Sequence, residues 1–192
     1  MKTSNEVVDE TLHLMKSHTK YWETDDDLNL RTSIFRQALE RLHREISLEG
    51  AQLAIGLSSY NIDIPGDEGF EEDATDSTSN AINMYAILGV TPQVIIDSHG
   101  HIKRDSQGIE PDPTNLWARR RVSQVSINNG AGDRRSSGTI ATHANYTLHF
   151  EHGKSLSFPE WEDELSDQGI MALDRVISEI KRDVFARATS QF

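Results

Sequence analysis

Phe35, Leu39, Leu42 and Ile46 recur at spacings of four, three and four residues, the repeat of one apolar face of an α-helix. The pattern predicts a long helix ending near Gly50. Toward the other end of the chain Ile170, Leu173, Ile177, Ile180 and Val184 form a second stripe at spacings of three and four. The stripe ends among Lys181, Arg182 and Arg187, placing positive charge where a helix C-terminus favours it. A chain with two such stripes must cover both. The fold expected from them is mainly α: a helical core with a few short β-strands, an extended arm and a long C-terminal helix.

Local signals place further elements. Thr3 and Glu6 have the spacing of a capping box, and Val8, Leu12 and Met15 carry the first helix to about Ser17. Asp25, Asp26 and Asp27 put negative charge at the start of the helix that contains Phe35. After Gly50 the period shortens: Leu53, Ile55 and Leu57, then Ile62 and Ile64, read as one or two short strands. Asp67, Glu68, Glu71, Glu72, Asp73 and Asp76 make a solvated loop. Ser77-Thr78-Ser79 reads as the cap of a third helix, Ala81 to Leu88, apolar almost all round and closed by Gly89. Thr91-Pro92 then opens a segment carrying Val94, Ile95 and Ile96, with a hairpin around Gly100 as the other reading. Ile140, Thr142, Ala144, Tyr146, Leu148 and Phe150 alternate with polar residues, a strand with one buried face. Ser157-Phe158-Pro159-Glu160 reads as the opening of the last helix.

Between positions 107 and 138 apolar residues are few, while Pro111, Pro113, Gly130, Gly132 and Gly138 interrupt any regular element. So long an irregular stretch suits an arm that orders on a partner. Three regions follow: 1–106 a helical ring-forming core, 107–138 a flexible arm or loop, and 139–192 a C-terminal strand and long helix. Only 36% of the residues are hydrophobic, so burial is expected to be completed against copies of the chain or other proteins. The absence of cysteine excludes disulfides and thiolate zinc sites. The first residues lack the apolar core of a signal peptide, and no apolar run reaches the ~18 residues of a membrane span. A soluble chain without membrane partners is expected.

Acidic residues number 31 against 19 basic ones, a net charge of −12 that argues against wrapping nucleic acid. Arg119, Arg120 and Arg121 beside Trp117, with Arg134 and Arg135, form the concentrated basic patch. Arginine forks of this kind suit an acidic protein surface, the favoured reading at this net charge, with a DNA-backbone contact as the other. With Ile177 of the C-terminal stripe, these are the expected partner-binding residues. In Asp97-Ser98-His99-Gly100-His101 two imidazoles and a carboxylate lie close, so a metal-dependent hydrolase at His99 and His101 is the alternative function. His143, His149 and His152 are further ligands by residue type alone. Glu160, Glu162 and Asp163 are a weak carboxylate signal. Asn129-Gly130-Ala131-Gly132-Asp133 lacks the Lys-Ser/Thr of a phosphate-binding loop. No catalytic, cofactor-binding or metal residue is assigned.

The order of these elements resembles the podovirus head-to-tail adaptor family, also called tail accessory factors or packaged-DNA stabilisation proteins. The matching stretches are Val7 to Leu12, Phe35 to Leu42, the passage from Gly50 to Ile64, Ser79 to Leu88 running into Val90-Thr91-Pro92, then Ala118 to Arg121 and Asn129 to Gly132. Together they span about residues 4 to 135, and 139–188 looks like an extension of the shorter members. The resemblance implies a structural virion protein. Some family members carry cell-wall hydrolysis as well, but no motif here is assignable to it, and neither enzymatic activity nor a cofactor is expected. Such a protein would be made in the host cytoplasm and sit at the head–tail junction, in a twelve-fold ring beneath the portal protein. Its partners would be the portal, further copies of itself, and the tail nozzle or tail fibre proteins. Packaged DNA would pass through the channel without sequence-specific contact.

Overall fold

In a computed structural model of the chain, which describes residues 2–20, 22, 28–59, 84–102, 108–129, 144–158 and 165–190, Thr3 caps the first helix as its sequence predicts. The Thr3 hydroxyl accepts from the Glu6 amide, and the Glu6 carboxylate accepts from the Thr3 amide. Helix α1 spans Ser4–His18 and α2 spans Leu28–Glu45. The expected stripe of α2 is buried at Phe35, Leu39 and Leu42, with Ile46 partly buried just beyond the helix. It packs with Val7, Val8, Leu12 and Met15 of α1. The acidic start expected for α2 lies outside the described residues.

The two helices cover one face of a five-stranded antiparallel sheet. β1 (Leu53–Ser59), β2 (Met84–Val90) and β3 (Val94–Ile102) pair in sequence order. β4 (Ile109–Pro111) and β5 (Asn115–Ala118) lie end to end along the other side of β3, β4 against residues 100–102 and β5 against residues 94–97. A 3-10 turn, Arg119–Arg121, leads into a second antiparallel sheet of β6 (Val122–Asn129), β7 (Ala144–Phe150) and β8 (Ser155–Phe158). Helix α3, Asp167–Thr189, ends the fold.

The mainly α expectation is therefore corrected: among the described residues three α-helices accompany eight strands in two antiparallel sheets. The expected helix at Ala81 to Leu88 is β2, from Met84 onward. β2 buries Tyr85 and Ile87 against α1 and α2, and Leu88 and Val90 against the opposite layer. A strand covered on both faces loses the apolar–polar alternation that marks strands and reads as a continuous apolar run. The same holds for Val94, Ile95 and Ile96 in β3. Thr91 does act through its hydroxyl, but in a hairpin turn: Oγ1 accepts from the amides of Gln93 and Val94, and the Thr91 amide donates to Val94 O.

The extended arm is corrected as well. Residues 108–129 are β4, β5, the 3-10 turn and β6, stitched to both sheets, while the rest of 107–138 lies outside the described residues. The predicted strand before Phe150 is present as β7. The residues around Ser157 end β8 rather than open a helix. The helix cap is Ser166, whose hydroxyl accepts from the Gly169 amide.

The second layer packs on the opposite face of the large sheet. Leu173, Val176, Ile177 and Ile180 of α3 are buried with Leu53, Ile55, Leu88, Val90 and Ile95, and with Val122, Leu148 and Phe150 of the small sheet. Trp117 of β5 stacks on Phe150 of β7 with centroids 5.6 Å apart, joining the two sheets. Helix ends meet where α1 runs into α3: the Ser166 hydroxyl donates to Ser17 O and the Ser166 amide to His18 O. A Cβ on Gly169 would run into His18 O, so that contact requires glycine.

Candidate functional site

Among the described residues, the second layer covers only part of the large sheet. On β3 the residues facing it are Ile95, Asp97, His99 and His101, and their burial falls along the strand from fully buried Ile95 to exposed His101. Paired with them on the same face are Leu88, Ala86 and Met84 of β2 on one side. On the other side Trp117 and Asn115 of β5 pair with Ile95 and Asp97. Among the described residues, this leaves an open shelf of Asp97, His99, His101 and Asn115, with Asp112 at the break between β4 and β5.

The shelf is internally bonded. Asp97 Oδ1 lies 2.6 Å from His99 Nε2, and Asp97 Oδ2 accepts from Asn115 Nδ2 at 3.3 Å. His101 Nε2 and Asp112 Oδ2 are 3.9 Å apart. A strand's two-residue period puts Asp97, His99 and His101 on one face. The carboxylate therefore orients His99. Ser98 points to the other face, where its hydroxyl bonds Thr114 Oγ1 at 3.1 Å, so the Asp97–His99 pair has no adjoining hydroxyl nucleophile from Ser98. Among the described residues no group of three or more histidine or carboxylate side chains is placed to hold a metal ion. Asp112 and Asn115 were invisible to the motif because they are brought beside β3 by backbone pairing, Asp112 just past β4 through its amide to His99 O and Asn115 in β5 opposite Asp97.

The basic cluster is divided by the fold. Arg119, expected to bind a partner, is buried instead: Nη1 donates to Gln52 Oε1 at 2.6 Å, and Nη2 lies 3.1 Å from Glu179 Oε2 and 3.3 Å from Asp183 Oδ2. Its hydrogen bond, ahead of that from Gln52, holds the Glu179 carboxyl below the usual carboxylate range, against an opposing effect of burial. A buried guanidinium needs such partners, and α3 supplies two carboxylates at an i, i+4 spacing. Arg120 and Arg121 are exposed, with Arg121 Nη1 at 2.6 Å from His152 Nε2. Trp117 is half-buried in its stack. Arg134 and Arg135 lie outside the described residues, as do His143, the 130–133 glycine-rich loop, Glu160, Glu162 and Asp163. Ile177, also expected at a partner surface, is 1% exposed and packed on the chain's own strands. The small sheet supplies the cover that its single predicted strand did not.

Two other polar groups are shaped by burial. Tyr146 is pushed up to about 12 by desolvation, then by its hydrogen bond to Asp174 and that residue's charge. His18 is buried beside β1, Nδ1 being 3.2 Å from Ala54 O and 3.4 Å from Ala54 N. It donates to the carbonyl in one tautomer or accepts from the amide in the other. His149 bonds the Ser126 hydroxyl at 2.8 Å. No helix among the described residues is long and apolar enough to cross a membrane. The chain matches no family model, and comparisons with curated proteins and with solved structures gave no match.

Proposed function

We propose that the chain is a non-enzymatic assembly subunit, and that its assembly is the head-to-tail junction of a short-tailed phage particle. The observation that carries the first part is the part of the large sheet that the second layer leaves uncovered among the described residues. Strand pairing presents Asp97, His99, His101 and Asn115 in fixed register, with Met84 and Ala86 between them and the β1 edge. Such a mixed polar and apolar shelf suits contact with another protein. The second part rests on what remains of the family resemblance: α1, α2 and the passage through Gly50 into β1. Ser79 to Leu88 no longer supports it as a helix, nor does Ala118 to Arg121 as the start of an arm. The net charge of −12 suits a ring whose wall lets packaged DNA pass without the counterion release that makes it adhere.

In this reading the chain joins copies of itself and a portal protein, and offers the tail nozzle or fibres a platform. The test is to mix the purified chain with purified portal rings of short-tailed phages and examine them by electron microscopy. Added ring density beneath the portal is expected. Replacing both His99 and His101 by alanine should weaken it about tenfold with thermal stability unchanged, the equivalent of about 1.4 kcal/mol of contact. A chain that neither self-associates nor binds any portal ring would remove the phage reading.

A further inference from the structure

The two sheets end in edges of different kinds. The free edge of β1 is covered by the last residues of α1: His18 Nδ1 lies against the Ala54 amide and carbonyl, and Thr19 Oγ1 accepts from the Gly56 amide. β6 is an edge of the small sheet and, among the described residues, pairs with β7 alone. Arg187 Nη2 takes Val122 O at its start (2.7 Å), and a bulge follows between Val122 and Gln124. From Gln124 to Asn129 the register against β7 is regular.

β6 reads Val122-Ser123-Gln124-Val125-Ser126-Ile127-Asn128-Asn129, with no charge and no proline, in a chain of which 26% is charged. Edges are ordinarily guarded by lysine, proline, bulges or a covering element. Past its bulge this one has none of these among the described residues, and Ile127 stands 52% exposed. Arg120 and Arg121, both exposed, immediately precede the strand.

We propose that β6 receives an extended segment of a partner protein as an added antiparallel strand, uncharged over about six residues and acidic directly after them. Six residues span about 20 Å of strand, the length of the regular part of β6. The antiparallel sense decides the polarity of the guest. Its C-terminal end lies beside the start of β6, where Arg120 and Arg121 meet carboxylates. A second copy of this chain is the poorer guest. The sequence after its own β6 carries Arg134 and Arg135 against one acid, Asp133, and each copy bears a net charge of −12. The inference stands on the small sheet and does not need the particle reading, because it is tested on the isolated chain.

The experiment measures amide hydrogen exchange of the full chain with either of two synthetic peptides. Both alternate valine and threonine over six residues; one then ends in two glutamates, the other in two lysines. Slowed exchange within residues 123–129 is expected, with the glutamate-ended peptide binding at least tenfold more tightly. Arg120→Glu should abolish that preference, and Ile127→Lys, at an exposed position, should weaken both peptides while leaving the melting temperature in place. No slowing with either peptide, or equal affinity for both, would overturn the proposal. Slowing that grows with protein concentration in the absence of peptide would make a second copy the occupant and overturn it as well.

Discussion

Arg119 stands at the junction of three segments: it follows β5, reaches Gln52 ahead of β1, and holds Glu179 and Asp183 on α3. Its side chain is 8% exposed, so the charge is stabilised by these groups rather than by water. Arg119→Ala should cost about 2–3 kcal/mol in denaturant unfolding, because Gln52 and Glu179 lose their partner in a half-buried site. The same pairing sets a pH dependence. Glu179 has a depressed folded pKa, so its contribution is present above the ordinary carboxylate range and is lost as pH falls through the folded value. The stability difference between the parent and Arg119→Ala should therefore narrow below about pH 4. A difference that stays constant from pH 7 to 3 would show that the arginine acts through packing alone.

His18 gives the same sign of pH dependence at a different junction, in a higher pH window and for a different cause. Burial lowers its pKa first; the hydrogen bond to Ala54 raises it in part, and the positive charge of Arg175 lowers it further. The unfolded chain then binds the proton more readily than the folded one. Stability at this site is thus full above the ordinary histidine value and declines as pH falls from about 6.5 toward the folded pKa. Urea unfolding of the parent and of His18→Asn between pH 7.5 and 5 should show the steeper fall in the parent. Parallel slopes would place the proton uptake elsewhere.

At the scale of elements, α3 is the piece that both sheets share. Ile177 is buried in the core that also holds Leu53 and Ile55 of β1, Leu88 and Val90 of β2, Ile95 of β3, and Val122, Leu148 and Phe150 of the small sheet. Ile177→Asp should lower stability by about 4 kcal/mol or more, since the carboxylate must either be desolvated or detach the helix. Thermal melting reads this directly. A soluble variant with a parental melting temperature would mean that α3 is held by something other than its apolar stripe. What the sequence disclosed about this element was its stripe, its basic end and its length. What it withheld was the cover, because β6 and β8 carry serine, glutamine and asparagine and pack few side chains inward. The same contrast explains the other elements. α1, α2 and β7 each have one polar face, so their periodicity was legible; β1 is buried on both faces, but Ala54 and Gly56 are small, so Leu53, Ile55 and Leu57 still stand out in alternation. β2 and β3 are dry on both faces over Leu88, Val90, Ile95 and Ile96, and a short dry run carries no period. The shelf was half legible: Asp97, His99 and His101 are neighbours in sequence, whereas Asp112 and Asn115 join them only through backbone pairing with β3.

At the scale of the molecule, the run from β4 to β6 is the structural hinge between the layers, the opposite of an arm. β5 and β4 complete the far side of β3, Trp117 stacks on Phe150 across the layers, Arg119 clamps α3, and β6 forms an edge of the small sheet. An arm that docks on a partner can be cut away without unfolding the body, because few of its contacts belong to the core. Here deletion of residues 112–135 removes β5, the 3-10 turn and β6 together. It uncovers the side of β3 at Ile95 and Ile96, strips Val122 and Val125 from the second core, and leaves Glu179 and Asp183 facing each other without their arginine. The deletion should therefore abolish the cooperative unfolding transition and leave a chain with exposed apolar surface. Near-ultraviolet circular dichroism and dye binding would register the loss, with far-ultraviolet signal partly retained by α1 and α2. A deletion variant that still melts cooperatively near the parental temperature would show that the two layers hold without the run that connects them.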